Sequence, residues 1–187
     1  MIAIRRARPT DALGIAEVHV EAWQDTYPSL LPPEYLASLN TARLARQYAH
    51  GIQNRLDGHA IFVAEADAVE ADGGTRIVGF ASGGRARRGG FADGEVHTLY
   101  VLSDFQDRRV GRRLLRAMAT HLSAIGCHSV MLWVLAGNPS LWFYRHLGGR
   151  PVLREPIRVG GTIVEQVGIR WEVIDSLLAA TAPAREG

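Results

Sequence analysis

The run Gln106-Asp107-Arg108-Arg109-Val110-Gly111 stands where an alternating apolar stretch ends and a helical pattern begins. N–H groups exposed at a helix start attract anions, and the helix dipole strengthens the effect. Gly111 lets another backbone approach closely. Arg108, Arg109, Arg112 and Arg113 crowd the same end. Positive side chains there oppose the dipole, so they mark either a bound phosphate or a solvated basic helix face. Just upstream, Glu95, His97, Leu99 and Val101 alternate onto one face of a strand, which lets a carboxylate and an imidazole share a site. The remaining reactive residues carry less. Cys127 is followed by His128, but neighbours on a strand point to opposite faces, so the thiol reads as structural. The seven histidines are scattered without a His-Glu-x-x-His spacing, so no metal site is expected. Neither a Walker A nor a dinucleotide glycine pattern is present.

These residues need a frame. Ile2–Ala7 alternates as a strand, and Thr10 or Asp11 caps a helix running to about Trp23. Leu13, Ala16, Val20 and Trp23 fall on one side of that helix. A turn-rich stretch, Tyr27–Pro33, leads to a short helix near Glu34–Leu39 and a longer one near Ala42–Asn54. His59–Ala66 and Thr75–Gly83 read as a hairpin joined by the turn Asp67–Gly74. Gly83–Gly94, rich in glycine and arginine, reads as a mobile, solvated loop. Glu95–Leu102 is a strand, Val110–Ile125 a helix, and Ser129–Leu135 a strand buried on both faces. Asn138 caps a short helix from Pro139 to Leu147, and Gly148 stops it. Strands near Pro151–Arg158 and Thr162–Glu172 follow, and the tail from Leu178 is expected to fray. The order predicts an α+β fold: a mixed, mostly antiparallel sheet with one parallel crossover.

The whole composition agrees with one domain spanning residues 1–187. The chain has 187 residues, 47% apolar and 21% charged, which excludes disordered and fibrous classes. No apolar run reaches the length of a membrane span, and the arginines at 5, 6 and 8 interrupt any signal-peptide pattern. A single cysteine suits a reducing, cytoplasmic setting. The net charge of +2 is uneven. Residues 61–105 carry seven acids and four arginines, which favours a cationic acceptor; residues 106–187 carry six acids and eleven arginines, which suits a small polyanion rather than nucleic acid. All 21 basic residues are arginine.

The stretch from Glu95 to Leu115 resembles the acetyl-CoA motif of the GNAT superfamily of N-acetyltransferases. Leu99, Tyr100 and Val101 match the Leu-x-Val strand end, and Gln106 to Gly111 match the Gln/Arg-x-x-Gly-x-Gly/Ala helix opening. Arg109 stands where the family usually has its first glycine; a residue with a side chain serves there if its φ is negative. Asn138, Tyr144, Leu147 and Gly148 are similar to the family's next motif, with an Asn-to-Tyr interval of six where many relatives have seven. Glu21–Leu39 resembles the Trp-x-x-x-Tyr helix–turn–helix that covers the acceptor pocket.

The resemblance implies a GNAT-like three-layer fold, helices on both faces of the sheet, and acetyl-CoA as co-substrate. It implies transfer to a primary amine of a small molecule or peptide, with no nucleic-acid or membrane partner, and the family's habit adds a homodimer. Glu95 becomes the base acting through ordered water, with His97 a second base, a substrate contact or a structural histidine. Tyr144 becomes the acid for the departing sulfur. Backbone N–H groups near Tyr100–Val101 hold the acetyl carbonyl, and Asn138 reaches the pantetheine arm. Gln106, Asp107, Arg108, Arg109, Val110, Gly111 and Arg112 cradle the pyrophosphate. Trp23 and Tyr27 either wall the acceptor pocket or pack the helix pair. A catalytically weak acetyl-CoA sensor of the same fold is the alternative reading.

Overall fold

Alternating apolar residues form seven strands in the computed structural model, which describes residues 1–54, 56–67 and 74–183, and only the backbone of Asp57. They are β1 (Ile2–Arg6), β2 (Ala60–Asp67), β3 (Thr75–Arg85), β4 (Gly94–Val101), β5 (Val130–Leu135), β6 (Arg150–Val159) and β7 (Thr162–Trp171). They pair in the order β1-β2-β3-β4-β5-β7-β6. All neighbours run antiparallel except β4 and β5, which are parallel. The predicted mixed sheet with a single parallel crossover is therefore what the chain builds. The turn expected at 67–74 lies largely outside the described residues.

Six helices flank the sheet: α1 (Ala12–Thr26), α2 (Pro33–Ala37), α3 (Thr41–Gln53), α4 (Val110–Ala124), α5 (Ser140–His146) and α6 (Ile174–Ala180). Strand β3 shows how they divide. The Tyr48 ring of α3 meets the ring of Phe80 edge-on, whereas a Cβ at Gly79 or Gly83 would meet Leu114 or Met118 of α4. Successive strand residues face opposite ways, so α3 covers one face and α4 the other. Helix α4 buries Val110, Leu114, Leu115, Met118, Ala119 and Leu122, the spacing of one apolar stripe.

Three expectations change. Helix α1 buries Ala12, Ile15, Ala16, Val18 and Ala22, and Leu13 is 55% exposed, so its core stripe is turned from the one predicted. Strand β3 runs through Gly83 and Gly84 to Arg85: a Cβ at Gly83 would stand 2.6 Å from the Glu95 carbonyl oxygen, so glycine here serves close strand approach rather than a loop. Residues 174–180 form α6 rather than a frayed tail. Leu177 is fully buried, and the guanidinium groups of Arg112 and Arg116 donate to the Ala180 and Leu178 carbonyls. These carbonyls at the helix C-terminus have no partner within the helix, so cations suit them.

Candidate active site

The parallel pair comes apart. Strand β4 pairs with β5 only through Gly94, Glu95 and Val96; Thr98 to Val101 keep their partners on β3 alone. The gap opens into a cavity of about 560 Å³ lined by both strands, α1, α5 and the loop after β3. Val101 turns its carbonyl into the gap, where the Gln106 side-chain amide donates to it at 3.3 Å. The next N–H, that of Leu102, donates to Val78 of β3 at 3.0 Å. Backbone polar groups alternate sides along a strand, so Leu99 and Val101, rather than Tyr100, present their N–H groups to the cleft.

A bulge at His97 sets which side chains meet there. Thr98 pairs with Ser82 and Val96 with Gly83, leaving His97 unopposed. The expected alternation of 95, 97, 99 and 101 is thereby broken. Thr98 shares a 2.6 Å hydroxyl contact with Ser82, and Tyr100 meets the rings of His19, Trp23 and Phe80. Val101 instead packs toward α4 beside Gly111. Glu95 and His97 do come together, close enough for each to act on the other's charge.

Glu95 is only 2% exposed and is held by Arg87. The Arg87 backbone N–H donates to Oε2 at 3.0 Å, its Nε approaches both oxygens at 3.2 Å, and its Nη2 donates to Oε1. Burial pushes the Glu95 carboxyl up, but these bonds and the Arg87 charge outweigh it and hold the group below the usual carboxylate range. His97 is pushed down to about 4, by burial first and by the Arg87 charge second; its Nε2 is buried without a partner. Arg87 and its neighbour Arg88, ion-paired with Glu155 at 2.7 Å, were missed because they lie in the stretch read as a solvated loop. A buried acid a few residues further along the same hairpin was the signal that could have found Arg87.

Tyr144 is 6% exposed and lines the cavity. Burial pushes its hydroxyl well above the ordinary tyrosine range, so it stays protonated. Asn138 Oδ1 accepts the Ser140 N–H at 2.8 Å and its Nδ2 donates to the Tyr27 hydroxyl at 2.7 Å; one residue caps α5 and fixes the wall across the cleft. Tyr27 is buried, and Trp23 meets it edge-on. Both line the cavity, so packing and wall coincide. The Trp23 indole N–H is buried without a hydrogen-bond partner, although it lies near enough to the Tyr100 hydroxyl to influence it.

A short turn after Gln106, which lines the cavity, leads to the N-terminus of α4. Among the described residues, no acceptor takes the N–H groups of Asp107, Arg108, Arg109, Val110, Gly111 or Arg112, whereas Arg113 already bonds back to the Arg109 carbonyl. Asp107 and Arg109 both have positive φ, 58° and 59°; the left-handed turn they form replaces the negative φ expected at Arg109. The crowding of arginines also resolves. The Arg112 guanidinium holds Ala180, Arg113 holds Ile2, and Arg108 lies over the Phe105 ring. Arg112 thus contributes its backbone and not its side chain to the helix start.

A mixed sheet parted at its parallel pair, with a helix N-terminus close by, is the architecture that the resemblance to the GNAT superfamily implies. The sequence model of the acetyltransferase (GNAT) family matches residues 16–148. The uncharacterized N-acetyltransferase YuaI of Bacillus subtilis is 32% identical over 179 residues, covering 95% of this chain and 96% of that protein. Among solved structures, the PaiA N-acetyltransferase of Thermoplasma acidophilum in complex with coenzyme A matches with a TM-score of 0.65 at 20% identity, over 91% of this chain and 99% of that one. The ribosomal-protein-alanine N-acetyltransferase of Brucella melitensis matches at 0.66 and 21%, over 90% and 98%. The chain belongs to the GNAT acetyltransferase family and is an acyltransferase. No helix among the described residues is long and apolar enough to cross a membrane.

Proposed function

We propose that this protein transfers the acetyl group of acetyl-CoA to a primary amine of a small molecule or peptide, by direct attack of the amine on the thioester. The observation that carries this reading is the parting of β4 from β5 beyond Val96, which opens a cavity lined by Gln106, the residue next to the N–H groups of 107–112 that no described acceptor takes. The residues present fit the co-substrate. The N–H groups of residues 107–112 suit its pyrophosphate, with the side chains of Arg108 and Arg109 beside them, and Gln106 shapes the turn. The free edge of β4 at Leu99 and Val101 suits the amide arm and the acetyl carbonyl. Asn138 keeps one side-chain N–H for the arm while it caps α5.

Acetyl-CoA supplies the thioester carbonyl to be attacked. A protonated amine has no lone pair, so a base must take its proton before the C–N bond forms. Glu95 is that base, directly or through water, and Arg87 keeps it ionised. Tyr144, protonated because it is buried, gives a proton to the sulfur as the C–S bond breaks. Trp23, Tyr27 and His97 wall the side from which the amine approaches. Calorimetric titration with acetyl-CoA, followed by amine-dependent thiol release, tests the assignment. Binding should survive Tyr144→Phe and Glu95→Gln while turnover falls about 100-fold in each. Thiol release unaffected by either change would overturn the catalytic roles, and tight binding without turnover of any amine would favour the sensor.

A further inference from the structure

A second cavity, of about 570 Å³, lies behind the wall that Arg87 and His97 make. Those two residues line both cavities. The second one sits between the end of α3 and the turn out of β3, where Asn54, His59 and Arg85 complete its polar lining. Gly51 and Gly84 add bare backbone and therefore room. The imidazoles of His59 and His97 stack at 5.8 Å with 16° between their planes. Burial pushes both below the ordinary imidazole range, so near neutral pH they offer hydrogen bonds without charge.

Among the described residues, no carboxylate stands beside the arginine that this cavity adds, Arg85. Arg85 gives one N–H to the Ile125 carbonyl at 2.7 Å and has no carboxylate partner among the described residues. No carboxylate side chain among the described residues lines the cavity. The reaction cavity differs: Glu95 lines it, the one acid among its described lining residues, with Arg87 and Arg88 beside it. The other described acids of the acidic stretch 61–105 are engaged elsewhere or distant. Glu65 binds Arg5, Asp67 binds the N-terminus, and Asp93 accepts from the N–H groups of His128 and Ser129. Among the described acids of that stretch, only Glu95 lines the reaction cavity. A molecule spanning both spaces meets a proton acceptor at one end and, at the other, a guanidinium with no carboxylate partner among the described residues.

We propose that the acceptor is an amine that also carries an anionic group, a carboxylate or a phosphoryl group, seated by Arg85 in the second cavity while the amine reaches past His97 to Glu95. The inference rests on the reading of the cleft as the site of acetyl transfer. It assigns Arg85, Asn54 and His59 to acceptor specificity, and it separates the two ends of the substrate by the Arg87–His97 wall.

The test compares matched amines: ω-amino acids from β-alanine to ε-aminocaproate, aminoalkylphosphonates, n-alkylamines and α,ω-diamines of equal length. With acetyl-CoA present, one of the two anionic series should exceed the alkylamines and diamines in kcat/KM by about tenfold or more; which one identifies the anion. Arg85→Gln should erase that advantage through KM, and Arg85→Lys should restore part of it. A second readout needs no transfer: without acetyl-CoA, the favoured anionic amine should raise the thermal midpoint of the wild type and not of Arg85→Gln. A preference for diamines or plain alkylamines, or an anionic preference that survives Arg85→Gln, overturns the proposal, as does the absence of both the preference and the thermal shift. A retained thermal shift with no acetylation of any amine would overturn the transfer reading instead.

Discussion

At the scale of single residues, the site is governed by two arginines that the sequence offers no simple way to rank. Arg109 occupies a left-handed conformation at φ 59° as the residue before α4. L side chains are disfavoured there by about 1–2 kcal/mol, and glycine is not. Arg109→Gly should therefore raise stability by about 0.5–1 kcal/mol, after the extra entropy of the unfolded glycine is subtracted. Its N–H stays in place, so acetyl-CoA affinity should fall only by what the lost guanidinium contributes beside the pyrophosphate. Denaturant unfolding and calorimetry on the same preparation check both halves, and a destabilised variant would contradict the backbone geometry. Arg87 acts through another group. It donates to both oxygens of a buried carboxylate and so keeps Glu95 ionised. Removing it leaves burial unopposed, and burial raises a carboxyl pKa. Arg87→Ala should shift the acid limb of the kcat/KM profile to higher pH, because that limb reports ionisation of the base in the free enzyme. An unshifted limb would mean that Glu95 is not the titrating base.

At the scale of elements, the order of strands and helices is legible because each apolar pattern has its own period. What the pattern cannot carry is how strands pair. The bulge at His97 exists only because β4 has one more residue than β3 between Gly83 and Ser82, so Leu99 and Val101 leave the face that Glu95 and His97 share. The same limit hid Arg87, whose partner is visible only once the hairpin is registered, and it misread Arg112 and Arg113. Their charges look like an anion site along the helix, yet they answer the Ala180 and Ile2 carbonyls of distant segments. The proposed catalytic pair, Glu95 and Tyr144, comes from the family resemblance, and the split sheet brings both side chains to one cavity. Gly83 shows how tightly that split is set. A methyl group there would sit 2.6 Å from the Glu95 carbonyl oxygen and 3.0 Å from Met118 Sδ. Gly83→Ala should push β4 away from β3 at the base itself, lowering stability by about 1–3 kcal/mol and activity by more than the loss of folded protein explains. Turnover normalised to the folded fraction is the measurement; unchanged specific activity would show that β4 moves without carrying Glu95 out of place.

At the scale of the whole molecule, buried imidazoles and clamped carboxylates make stability fall with acid in two stages. His19 and His97 are each pushed down to about 4, chiefly by burial, whereas an unfolded histidine titrates near about 6.5. The unfolded chain therefore takes up protons first as the pH drops, and each imidazole removes stability between about 6.5 and about 4, with a limiting slope of roughly 1.4 kcal/mol per pH unit. The carboxylates act lower down. Arg5 holds Asp11 at 2.7 and 2.9 Å and Glu65 at 2.9 Å through both oxygens. This cross-link joins β1, β2 and the approach to α1, and it holds both acids below the ordinary range, Glu65 to about 2. A depressed carboxyl stabilises the fold above its unfolded value near about 4, and that contribution disappears as the pH falls toward about 2. Urea midpoints taken from about pH 7.5 to about pH 3 should show both stages. His97→Asn should roughly halve the upper stage, leaving the share of His19, and leave the lower one unchanged. Arg5→Met should do the opposite, because it frees Asp11 and Glu65 without touching an imidazole. A wild-type curve that stays level between about pH 7 and about pH 5 would mean that the imidazoles beside the active site are not held neutral by their surroundings. The same experiment bears on the second cavity through His97, one of the two histidines that line it.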